Sequence, residues 1–333
     1  MKILVIGGGI YGCHLALFLK NYGINVKLFE KNSNLFEGSS GNNQYRLHKG
    51  FHYARSYKTR FQSKIGFDIF LKSYSEHTIK VEKNYYLIPF IDSLIDFGTY
   101  ISIFQNENYE FEFINDNEFD FLKGIEGGFK VDERVIDTNS LSEMFKNKLK
   151  GNIEFNKNVL IEELDDLKNN YDFIFDCTWG RLIKKFESIF ELTHLCYIKS
   201  IIPKHPAITL VDGPLWSIYP TSYKDIFTLS SVKYTPILKN KNLNKIIEKK
   251  ENISDLALVE NYQKMIKQVE INYPTFKNNF KLIGHQLSIK NKPLSRDDSR
   301  ECKIFKEDNL ISVFSGKIDT FYIVEEFIKK NIL

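Results

Sequence analysis

Cysteine is scarce in this 333-residue chain, and its four copies, Cys13, Cys177, Cys196 and Cys302, lie far apart without a C-x-x-C pair. That spacing argues against a disulfide framework and against a zinc motif; it predicts reduced thiols in a cytoplasmic protein with no metal site. Long apolar runs are missing as well. No stretch approaches the ~20 apolar residues of a membrane span, and the first apolar run ends in glycines without a cleavage region, so neither a span nor a signal peptide is expected. Nor does one sign of charge dominate. The 46 basic and 42 acidic residues leave a net charge of +4, too small to mark a nucleic-acid partner. With 43% hydrophobic and 26% charged residues, the composition is that of a globular protein with one large or two ordinary domains.

What is present is concentrated near the N-terminus. Residues 2–6 (KILVI) read as a buried parallel strand that breaks into G-x-G-x-x-G, with Gly7, Gly9 and Gly12 in the three slots. A helix follows, opening at Ile10 and Tyr11 and ending near Gly23, and a second strand over 25–30 closes on Glu30. Each part has a mechanical reason. Gly7 permits the tight turn, Gly9 lets backbone approach a pyrophosphate, and Gly12 lets the helix pack closely on the strand. The helix start offers free N–H groups to an anion. Glu30 is placed to accept hydrogen bonds from ribose hydroxyls and to repel a 2′-phosphate, although Lys31 beside it softens that repulsion. Strand, glycines, helix, strand and terminal acid in this order predict an adenine dinucleotide.

A nicotinamide dehydrogenase would continue with another strand–helix unit. Here a polar, glycine-punctuated loop follows, with Ser39-Ser40-Gly41-Asn42-Asn43 and then Arg46-Leu47-His48-Lys49-Gly50-Phe51-His52-Tyr53. The G-G-G-I-x-G run, the strand-end Glu30 and S-S-G-N together resemble the FAD-dependent D-amino-acid oxidase superfamily, which includes glycine and sarcosine oxidases. His48 to Tyr53 is similar to the H-x-G-x-x-Y segment of its 2-hydroxyglutarate and glycerol-3-phosphate dehydrogenase branch.

The resemblance implies an α/β architecture: a Rossmann-like FAD domain, discontinuous over 1–78, 150–195 and 285–333, with an inserted antiparallel substrate domain over 79–149 and 196–284. It implies flavin contacts for Ser39, Ser40, Asn42 and Asn43, and places Arg46, His48 and His52 or Tyr53 near the reacting face. Val159 corresponds to a backbone amide that holds adenine. Thr178 and Gly180 lie where the chain returns to the dinucleotide, though Cys177-Thr178-Trp179-Gly180 departs from the family's pattern. A last strand over 310–314 leads into Ser315-Gly316-Lys317-Ile318, expected to open the C-terminal helix and to contact the flavin through Gly316, Lys317 and Ile318. A hairpin over 215–220 and 226–233 makes Tyr219, Lys233 and Tyr234 pocket candidates. Arg296 and Arg300 mark either an anion site or a surface salt-bridge loop. No cysteine sits at the covalent attachment point of the sarcosine oxidase branch, Cys302 being nearest, so dissociable FAD is expected.

The chemistry implied is hydride transfer from a carbon bearing an amine or hydroxyl to flavin N5. His48 reads either as the acceptor of a hydroxyl proton or as an orienting histidine, Arg46 as a carboxylate or phosphate clamp, and Tyr219 as a further catalytic-pocket residue. Three readings stand: an oxidoreductase of small polar amines or amino acids, one of hydroxy acids or sugar or polyol phosphates, and a flavin-binding protein without turnover. The expected partner is a small, anionic molecule.

Overall fold

The apolar strand Lys2–Ile6 buries every side chain after Lys2, because it has neighbours on both edges and helices or loops on both faces. It pairs in parallel with Asn25–Phe29 on one side and Phe173–Asp176 on the other. In the computed structural model, which describes residues 1–294 and 300–333, this is the centre of a six-stranded sheet. Its order is Lys303–Glu307, Leu310–Phe314, Phe173–Asp176, Lys2–Ile6, Asn25–Phe29, Ile153–Glu154. Arg296 lies outside the described residues. On one face, helices Ile10–Asn21, Tyr57–Tyr74, Thr138–Lys148 and Tyr322–Asn331 bury Leu15, Phe70, Phe145 and Ile328 in a single core. On the other, Leu4, Ile6 and Ile174 pack with Val159 and Leu164.

The second sheet has nine strands and is largely antiparallel. Its longest members, Ser188–Ser200 and Phe280–Pro293, pair along their whole length, from Ser188 opposite Pro293 to Ser200 opposite Phe280. The expected domain boundaries at 195 and 285 therefore fall inside strands of this sheet. Helix Asp255–Asn272, whose N-cap Ser254 accepts the Ala257 N–H, covers one face of the sheet through Tyr262, Met265 and Val269. Among the described residues no helix is long and apolar enough to cross a membrane.

Several local expectations shift, each for a readable reason. The alternation of residues 129–136 reads as one strand, but the chain divides it between two sheets. Ile125–Lys130 joins the nine-stranded sheet, whereas Arg134–Ile136 pairs with Arg46–Leu47 and Thr78–Lys80. The sequence reads as a helix over 138–149 with Thr138 or Asn139 as its N-cap, but the cap is Asp137, whose carboxylate accepts the Ser140 N–H at 3.1 Å. Residues 152–164 read as strand from their pattern, yet only Ile153–Glu154 is one, and a short helix Leu164–Asn170 follows with Asp165 and Asp166 in its first turn. Finally, the C-terminal helix starts at Tyr322, not at Gly316. The preceding segment is held as a loop by its own polar groups: the Ser315 and Thr320 hydroxyls meet at 2.9 Å, and Tyr11 donates to the Lys317 carbonyl at 3.0 Å.

Candidate functional site

A cleft of about 1250 Å³ opens where the glycine turn, the polar loop after Glu30, the C-terminal loop and the face of the second sheet meet. Its two regions are built differently.

The first region is made of backbone. Gly7 has φ +106, and a Cβ there would stand 3.0 Å from the Cys177 carbonyl of the adjoining strand. A Cβ on Gly12 would stand 1.8 Å from the Gly7 carbonyl, so the helix reaches the turn only because both are glycine. The N-cap of the helix is Gly9, which brings no side chain to the first turn and leaves the dipole's positive end facing the cleft. Ser40 Oγ accepts the Ile10 N–H at 3.0 Å. Glu30 is buried, accepting the Gly8 N–H at 2.6 Å and the Asn32 N–H at 2.8 Å.

Lys31, Ser39, Ser40, Asn43, Val159, Thr178, Gly316, Lys317 and Ile318 line the same cleft, with Gly7, Gly9, Ile10, Tyr11 and Glu30. Gly12, Asn42 and Gly180 do not. Gly12 lies behind the turn. Asn42 points away and donates to the Glu37 and Gly38 carbonyls, each at 2.9 Å, which shapes the loop. Gly180, at φ +70, turns the chain beside Asn291, whose amide donates to the Trp179 carbonyl at 3.0 Å. Trp179 itself lines the cleft with its indole N–H buried and unpartnered among the described residues.

The second region is made of side chains. The Arg46 guanidinium lies 4.0 Å from the centroid of the Tyr219 ring. Its Nη1 donates to Thr209 Oγ1 at 2.8 Å and to the Tyr86 hydroxyl at 3.3 Å. Tyr86 in turn donates to Glu133 at 3.0 Å, and Glu133 also accepts the Asn84 amide at 3.0 Å and the Lys49 N–H at 3.1 Å. Burial raises Glu133 to about 7, against the downward pull of Arg46 and of those hydrogen bonds. Arg46 Nε and Nη2 are buried and have no partner among the described residues. Tyr219 does not line the cleft. It is fully buried beneath Arg46 and donates to the Arg134 carbonyl at 3.1 Å, so its place is that of a support.

His48 lines the cleft with both ring nitrogens engaged. Nδ1 accepts the Gly50 N–H at 3.1 Å, and Nε2 faces the Lys317 amine. Burial, then Lys317, Arg46 and His52, hold its pKa well below the usual imidazole range. His52 beside it is lowered to about 3, by burial first and then by Arg46, Lys317 and Arg300, and its Nδ1 is buried without a partner among the described residues. Tyr53 and Arg300 also line the cleft; Lys233 and Tyr234 do not, because the chain turns over there toward helix Asp255–Asn272.

Sequence reasoning missed Lys290, Arg181 and Glu133. Lys290 lines the cleft and is lowered to about 8, by burial and then by Lys292 and Arg300. Its signal was the period-two alternation of a strand, Ser288, Lys290, Lys292, which shares one face. Arg181 has burial as the main pull on its pKa, with Glu30 opposing; nothing in the local sequence marks it.

The glycine cradle, the uncapped helix start, the strand-end carboxylate and the unpartnered Trp179 N–H fit an extended dinucleotide carrying a flat, polar ring system. Fold and site together define a flavoprotein built on two large sheets and a small three-stranded one. The comparisons with known proteins agree. The model of the FAD-dependent oxidoreductase (DAO) family matches residues 2–151. A curated relative, the FAD-dependent monooxygenase FPY4 of Fusarium mangiferae, is 40% identical over 329 residues, covering 97% of this chain and 88% of that one. Among solved structures, glycine oxidase from Geobacillus kaustophilus aligns with TM-score 0.72 at 10% identity, covering 100% of this chain and 95% of that one. The FAD-bound L-α-glycerophosphate oxidase from Mycoplasma pneumoniae aligns with TM-score 0.71 at 16% identity, covering 98% and 94%. The chain belongs to the DAO family of FAD-dependent oxidoreductases, and its cofactor is FAD.

Proposed function

We propose that this oxidoreductase acts on a small anion whose reacting carbon bears a hydroxyl, a hydroxy acid or a sugar or polyol phosphate. The observation that carries the reading is Arg46: a cleft-lining guanidinium, oriented by Thr209, Tyr86 and Tyr219, whose Nε and Nη2 are buried and have no partner among the described residues. Two adjacent N–H donors suit a carboxylate or phosphate edge. Lys290, Lys317 and Arg300 in the same cleft add positive charge. The neighbouring floor presents Gln44, Ser217 and Ser230, with Ser217 donating to the Gln44 carbonyl oxygen at 3.2 Å and meeting the Ser230 hydroxyl at 2.9 Å; such groups pair with hydroxyls.

FAD, when bound, supplies the acceptor for the substrate's hydride. The chain supplies orientation and a place for the proton. Nδ1 of His48 accepts from Gly50, and Nε2 meets Lys317 Nζ. In this reading the hydroxyl proton leaves toward the His48–Lys317 pair, which holds the reacting carbon's oxygen in place while it does so. The residues lining the first region, with Gly316 and Ile318, hold FAD without a covalent bond. An amine substrate is the second reading, since the solved glycine oxidase shares the fold, and a neutral amine needs no base.

The test is anaerobic bleaching of the flavin by hydroxy acids, sugar phosphates and amino acids in turn. Bleaching by an anionic hydroxy compound, lowered at least about 100-fold in rate by Lys317→Met, is expected. Bleaching by amino acids alone would select the amine reading. A product carrying an inserted oxygen would assign to this chain the monooxygenase chemistry in its relative's name.

A further inference from the structure

On the far side of the second sheet, away from the cleft, three ligand-type side chains converge. Thr193 and Leu195 line the cleft, so His194 and Cys196, the alternating residues of the same strand, face the other way, under helix Asp255–Asn272. His285 lies on the adjacent strand directly opposite Cys196, so its side chain shares that face. His194 Nε2 is 2.8 Å from His285 Nδ1 and 3.5 Å from Cys196 Sγ, and one ligand atom from each residue lies within 4.8 Å of the other two. His194 and Cys196 are fully buried, whereas His285 is partly exposed and gives the cluster a way in.

Hydrogen bonding satisfies this arrangement only in part. Asn261 donates to the Tyr234 carbonyl and to His194 Nδ1, each at 3.0 Å, which leaves the His194 proton on Nε2. Both His285 Nδ1 and Cys196 Sγ then address one N–H, which can be given fully to only one of them. A cation at that point answers all three. A tetrahedral zinc ion with Zn–N of ~2.0–2.1 Å and Zn–S of ~2.3 Å has N···S edges of about 3.5 Å and N···N edges of about 3.3 Å. The Sγ–Nε2 separation already has that value, and the two imidazoles need to part by about 0.5 Å.

We propose that His194, Cys196 and His285 form a three-ligand site for Zn²⁺, with the fourth position left to water on the exposed side of His285. Binding is proton-balanced. The Cys196 thiol releases its proton to solvent. His194 moves its proton from Nε2 to Nδ1, where Asn261 receives it by turning its carbonyl oxygen inward and giving up Tyr234. The ion ties two strands whose opposite faces form part of the cleft wall, and it is independent of the substrate reading above.

The experiment is equilibration of the FAD-loaded protein with Zn²⁺, removal of loose metal, elemental analysis, and affinity by competition with a chromogenic chelator. One zinc per chain is expected, with flavin content unchanged. Cys196→Ser and His285→Gln should each weaken binding at least about 100-fold. If burial makes Cys196→Ser fold poorly, His285→Gln at the partly exposed position carries the test. Absence of retained zinc, or retention unaltered in His285→Gln, overturns the site.

Discussion

The two regions of the cleft bind by opposite means. The dinucleotide region is backbone: glycines, a helix start and one carboxylate, nearly all within 30 residues of one another in the chain. The substrate region is a buried polar network, in which Arg46, Tyr86, Glu133, Thr209 and Tyr219 come from five separate strands or turns. The difference teaches where each is vulnerable. A backbone cradle fails sterically and all at once. A charged network fails by degrees and responds to pH.

The largest effect is expected from adding a single methyl group in the cradle. Gly12→Ala places Cβ against the Gly7 carbonyl and should abolish FAD retention, read as loss of the visible flavin bands. Gly23→Ala, at φ +74 with nothing within 4 Å, should cost only about 1–2 kcal/mol in a denaturation curve and keep the flavin. Equal behaviour of the two would break the steric account.

On the proposed substrate side, Arg46→Ala should raise KM by about 100-fold while FAD affinity stays within about threefold, if the bidentate contact proposed for Arg46 is made to the substrate. A parallel loss of FAD would place Arg46 on the cofactor instead.

Smaller, and specific to pH, is the effect of Glu133. Its pKa is raised on folding to about 7, so the folded state binds its proton more tightly than the unfolded state does. The stability it contributes is full below the ordinary carboxylate range and is lost as pH rises through about 7. Glu133→Gln should flatten the thermal-stability profile across that window, and an unchanged slope would show that another group carries it.

The smallest effect is expected from Cys302→Ser. Burial pushes this thiol up to about 12, which leaves it unreactive, and it does not line the cleft. Wild type and variant should release the same amount of free flavin on unfolding; flavin retained only by wild type would mark a covalent link.

The readability of the two regions follows from the same contrast. Residues 2–30 and the loop to Tyr53 could be read because each requirement there is local: a turn that needs glycine, a strand end that needs an acid, a helix start that needs open N–H groups. The C-terminal segment reads as a helix start, but Tyr11, distant in sequence, and Ser315 both bond Thr320 and hold residues 315–320 as a loop. The family resemblance puts Tyr219 on the pocket floor, whereas strand alternation says only that a residue faces in. Whether inward means into the cleft or under Arg46 is decided by the partner strands.

By itself, then, the sequence determined the glycine cradle and the strand–helix–strand around it, since these depend on short-range sterics and on period-two or helical patterning; the second, antiparallel sheet came from the family resemblance. Only the tertiary structure decided that Glu133 stands behind Arg46, that His48 meets Lys317, and that His285 meets the His194–Cys196 pair. Those pairings depend on strand order and register, which bring together residues separated by up to 269 positions and which no local pattern encodes.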